Sequence, residues 1–83
     1  MQNFDHVEDP IIRSVLQCDL SEDAVCYAIS ETLDAALADQ HNEDVPFCVS
    51  EQRLALAQDA ADLWNDEGNA FKCLECLRLC WSV

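Results

Sequence analysis

Hydrophobic positions recur along most of this chain at helical spacing, and polar runs break the pattern between them. Asp9-Pro10 opens the first patterned stretch. Aspartate can accept hydrogen bonds from the free amides of a helix start, and the fixed φ of proline suits the first turn. Ile11, Ile12, Val15 and Leu16 then form an apolar stripe, which predicts a short helix ending near Cys18-Asp19. Ser21 reads as the next N-cap, with Glu22 and Asp23 placed where they favour the helix dipole. At about 100° per residue, Val25, Cys26, Ile29, Leu33, Ala36 and Leu37 share one sector. This second helix is expected to run to Gln40.

The polar run from Gln40 to Pro46 ends that pattern, because the residue before proline avoids helical angles. Phe47, Cys48 and Val49 are expected to pack as the chain enters a third helix, with Ser50 as its N-cap and Glu51 to Glu67 as its body. Arg53, Leu56, Ala57, Ala60, Leu63 and Trp64 cover one broad side of it, with Leu54 and Ala61 at the margin. Gly68 fits the left-handed position that stops a helix. Asn69 can cap a fourth, from Ala70 to Trp81, with Cys73, Cys76, Leu77 and Cys80 along its centre line and Leu74 and Trp81 beside them. Phe71 and Leu79 lie off that line, so this helix is expected to be covered on two sides.

One glycine and two prolines are too few for a chain of many turns. The expectation is an all-α fold, a compact bundle of three longer helices plus one short N-terminal helix, forming a single acidic domain over residues 1–83. No stretch has the roughly 18 apolar residues of a membrane span. The first nine residues are polar and acidic, with no basic segment followed by an apolar one, so a cytoplasmic protein with no membrane partner is expected.

Charge changes the picture most. Seventeen acidic residues stand against four basic ones, a net charge of −13. A folded chain of this mass exposes roughly 5,000 Å², or one net charge per ~380 Å². B-DNA carries one phosphate per ~110 Å². Acids gathered on one side would approach half that density. Such a chain repels nucleic acid directly and suits a positively charged protein, above all one that handles nucleic acid.

Two ordered acidic stripes lie opposite apolar sides. Asp23, Glu31 and Asp34 flank Tyr27 on the second helix over ~16 Å, and Asp59, Asp62 and Asp66 span ~10 Å on the third. A charged helix side is usually just solvated. Here the charge has one sign where stabilising faces mix Glu with Lys. Aspartate also disfavours helix interiors, yet Asp34, Asp59 and Asp62 sit there. These seven residues are the candidate partner-binding set, with Tyr27 as an amphipathic anchor.

In size, charge and helical composition the chain is similar to small acidic DNA mimics of phages and mobile elements, such as anti-CRISPR and anti-restriction proteins. No motif carries that likeness. It implies a binder that blocks a basic, nucleic-acid-binding surface of another protein. The alternatives are a helical adaptor that binds through an apolar groove and a cysteine-based metal-binding or redox module.

The six cysteines are Cys18, Cys26, Cys48, Cys73, Cys76 and Cys80. In a reducing compartment they read as small buried hydrophobes. Cys73, Cys76 and Cys80 are the weak candidates for a metal. On a straight helix the outer two stand ~10 Å apart along the axis, too far for one zinc with bonds of ~2.3 Å. A disulfide from Cys18 or Cys26 to the last helix is the remaining reading. His6 reads as part of a solvated, mobile tail with Asp5, Glu8 and Asp9, and His41 as a loop residue. Trp64 and Trp81 are expected in the core, although Trp81 leaves a homodimer surface open. Arg13, Arg53, Lys72 and Arg78 are each expected to pair with a carboxylate. No phosphate loop, nucleophile elbow or placed base supports catalysis, so neither an enzyme nor a cofactor is expected.

Overall fold

Four helices follow in the computed structural model, which describes Phe4 and residues 6–82: α1 (Pro10–Leu16), α2 (Glu22–Gln40), α3 (Phe47–Asn65) and α4 (Ala70–Trp81). No strand occurs among the described residues. Three longer helices and one short N-terminal helix match the expected bundle.

Local chemistry explains most of the boundaries. Asp9 caps α1 through Oδ1, which accepts from the amides of Ile11 at 2.9 Å and Ile12 at 3.4 Å. The far end of α1 closes with paired bonds, Cys18 N–H to the Val15 carbonyl and Asp19 N–H to the Ser14 carbonyl. This is the usual place for a left-handed glycine, but Cys18 holds it, at φ 81°. Ser21 sits at the start of α2 with extended backbone, yet its hydroxyl makes no capping bond. At α4, Asn69 Oδ1 accepts from the Lys72 amide at 3.2 Å. Gly68 supplies the left-handed turn before it, at φ 62°.

Helix α3 starts earlier than the sequence predicts. Pro46 stands at its N-cap, where a missing N–H costs nothing, and its carbonyl accepts from Val49 and Ser50. Ser50 is therefore not the cap. It lies one turn inside, buried, with its hydroxyl donating back to the Phe47 carbonyl at 2.9 Å. Phe47, Cys48 and Val49 consequently form an outward-facing first turn rather than packing, and Phe47 is 70% exposed.

The core draws Ile12, Val15 and Leu16 from α1, Val25, Ala28 and Ile29 from α2, Ala60 from α3, and Cys73 and Leu77 from α4. Trp64 and Trp81 pack against it, half-buried. Helix α3 packs most extensively, on α4 and on α2, while α1 lies mainly on α2. Ala57 and Ala60 make the α3 contacts close, since neither side chain is exposed at all. Arg53 near the start of α3 meets Cys80 near the end of α4, so these helices run antiparallel. The radius of gyration is 12.0 Å, close to the ~12 Å of a compact domain of this length.

Three expectations fail in instructive ways. The buried side of α2 is Val25, Ala28, Ile29, Thr32 and Ala36, turned away from Cys26 and Leu37, which are exposed. The turn follows from Thr32, whose hydroxyl donates to the Ala28 carbonyl and accepts from Trp81 Nε1. Phe71 and Leu79 are exposed, so α4 is covered on one side only. The N-terminal segment is no solvated tail. Phe4 and Val7 are buried in the core, joined by the Val7 N–H to Phe4 carbonyl bond, and His6 Nε2 lies at 2.5 Å from the Trp81 carbonyl. Asp5 lies outside the described residues.

Candidate functional site

Helices α2, α3 and α4 turn every acid but Asp39 outward, because the opposite side is committed to the core. Asp23, Glu31, Asp34, Asp59, Asp62 and Asp66 are all exposed, and Tyr27 is exposed between its acidic neighbours. On α2 the stripe is joined by residues that periodicity on that helix does not reveal. Glu31 and Asp34 border a hollow together with Glu8 and Asp9 of the N-terminal segment. Asp23 and Tyr27 border a second with Asp19. Asp59 of the α3 stripe lies near α4 instead, where burial first and then Asp59 and Glu75 push the Cys76 thiol up. Neither α2 hollow is bordered by a residue of α3, so each acidic surface has its own neighbours.

Tyr27 has an internal role as well. Its hydroxyl donates to Asp9 Oδ2 at 2.5 Å, tying α2 to the start of α1. That bond holds the Asp9 carboxyl below the usual range. The same carboxylate, helped by Glu31, pushes the Tyr27 phenol up to about 12.

The cations are placed differently from the acids. Fourteen of the sixteen acids whose placement is described are exposed, whereas three of the four cations are half-buried. Arg53 pairs with Asp39 at 2.8 Å, the one ion pair among the described residues. Arg78 does not pair with a carboxylate as expected; its Nε donates to the Leu16 carbonyl at 2.9 Å and its Nη2 reaches Cys18 Sγ. Arg13 and Lys72 also make no ion pair among the described residues. The four cations therefore do little to break up the negative exterior. A net charge of −13 over 5309 Å² gives about one per 410 Å².

The cysteines divide in two. All six are free thiols, and no bridge joins Cys18 or Cys26 to α4. Cys73 and Cys80 are buried and Cys76 is half-buried, while Cys18, Cys26 and Cys48 are exposed, contrary to the expectation for them. Cys26 faces out because of the turn of α2, and Cys48 because α3 starts early. Burial, reinforced by the neighbouring Cys76, pushes the Cys73 and Cys80 thiols up to about 11. Among the described residues no three His, Cys, Asp or Glu side chains converge to hold a metal. No helix among them is long and apolar enough to cross a membrane.

No protein-family model, curated protein or solved structure matches the chain. The surface has to be interpreted on its own chemistry.

Proposed function

We propose that this protein binds and blocks a basic, nucleic-acid-binding surface of another protein, in the manner of the small DNA-mimic inhibitors directed against CRISPR or restriction systems. One observation carries the reading: the acids face outward while Arg53 and Arg78 are held by inward partners. A surface kept for solubility alone has no need to withdraw its positive charges. A cationic partner would be drawn in by long-range attraction and held by many carboxylates at once. The activity is binding alone, with no catalytic step, no cofactor and no direct contact with nucleic acid or membrane. We place the encounter in the cytoplasm.

The test has three arms. Immobilised protein should capture its partner from cytoplasmic extract at low salt and release it as salt rises, because the contact is ionic. Duplex DNA added to the wash should elute the same partner. Lysines in place of Asp59, Asp62 and Asp66, or of Asp23, Glu31 and Asp34, should abolish capture and so identify the stripe that docks. Capture that survives high salt, ignores DNA and tolerates both triple reversals would refute the reading. It would favour the adaptor instead, for which the exposed Phe47, Phe71 and Leu79 are the specific observation.

A further inference from the structure

A half-enclosed hollow of about 250 Å³ lies where the N-terminal segment, α2, α3 and α4 converge. An apolar cavity of about 150 Å³ is enough to hold benzene, so this one has room for one or two fused rings. Its space comes from small residues, since Ala35 and Ala36 on α2 leave a gap beside the indole of Trp81. That indole is already fixed. Trp81 Nε1–H donates to Thr32 Oγ1 at 2.9 Å, and the Trp81 carbonyl meets His6 Nε2. Trp81 on the hollow's border is therefore already ordered, and a ligand that meets it loses little affinity to ordering it.

Asp39 and Arg53 supply the polar edge, and both border the hollow. Their bond joins Arg53 Nη1 to Asp39 Oδ2. Arg53 Nη2 and Nε and Asp39 Oδ1 take no part in that bond, so the pair keeps both donor and acceptor capacity at the hollow's border. Such a pair matches a ligand edge that offers a carbonyl next to an N–H. The pair is close to neutral, so it gives no reason to bind a charged ligand, and the net charge of −13 disfavours an anionic one.

We infer that this hollow is a binding site for a small, neutral, planar heteroaromatic molecule with a lactam edge. The ring lies against Trp81 in an offset or edge-on contact. The lactam carbonyl accepts from Arg53 and its N–H donates to Asp39. Ala35 and Ala36 provide the apolar floor.

The full-length protein, labelled with nitrogen-15, is titrated with uracil and hypoxanthine as probes. Indole, which lacks the lactam, and adenosine monophosphate, which is anionic, serve as comparators. The two indole N–H resonances are the readout. Trp81 should shift saturably with both lactams while Trp64, which does not border the hollow, stays still. Indole and the nucleotide should each bind at least about tenfold more weakly, a difference of ~1.4 kcal/mol. Ala35→Leu fills the gap and should abolish the shift in a protein of unchanged helicity. Asp39→Asn should weaken the lactams and leave indole as it was. A Trp81 signal unmoved by either lactam overturns the inference. So does equal binding by indole, tighter binding by the nucleotide, or full binding by Ala35→Leu.

Discussion

Tyr27 is the only tyrosine, so its ionisation can be followed alone by ultraviolet absorbance. It should titrate near 12, and Asp9→Asn should return it towards the ordinary value of 10. The signs follow from linkage. A raised phenol contributes stability below pH ~10 that is lost as pH climbs through about 12. A lowered carboxyl contributes stability above its ordinary range that is lost as pH falls through the depressed value. Tyr27→Phe should therefore move the Asp9 carboxyl titration, read by carbon-13 NMR, back upwards. Alkylation at neutral pH separates the thiols in the same residue-by-residue way. Mass spectrometry should find Cys18, Cys26 and Cys48 modified early, while Cys73 and Cys80 are spared by burial and a pKa of about 11. Cys18 also holds a left-handed backbone position at φ 81°. Cys18→Gly should raise the chemical-denaturation midpoint, worth about 1 kcal/mol, because a Cβ there is strained.

At the scale of elements, legibility followed how local the signal was. The start of helix α4 was readable because Gly68 and Asn69 act within one turn of chain. The start of α3 was misplaced because Ser50 has the chemistry of a cap and Pro46 was read as the end of a loop, whereas proline can also open a helix. The outward acids of α2 and α3 were legible from spacing alone. The turn of α2 was not, because it rests on a bond between Thr32 and Trp81, 49 positions apart in sequence. The same distance hid the packing of Phe4 and Val7, although two hydrophobes three apart in an acidic stretch were a usable clue. Thr32→Val tests that bond. Removing the acceptor leaves the half-buried Trp81 N–H without its partner and should cost about 1–3 kcal/mol of unfolding free energy.

Across the whole molecule, self-repulsion and attraction to a partner respond to salt in opposite directions. Added salt screens carboxylates from one another, so the thermal midpoint should rise with ionic strength while affinity for a cationic partner falls. Lysines in place of Asp59, Asp62 and Asp66 change the net charge from −13 to −7. They should raise the low-salt melting temperature whether or not they remove binding, which separates loss of function from loss of fold. The half-buried arginines carry one more consequence. Trypsin cuts only after lysine or arginine, and this chain offers four such bonds, three of them following Arg13, Arg53 and Arg78. All four basic residues lie within helices, and a protease needs a locally opened strand of chain. The native protein should therefore outlast its neighbours in a trypsin-treated extract, a simple route to its enrichment.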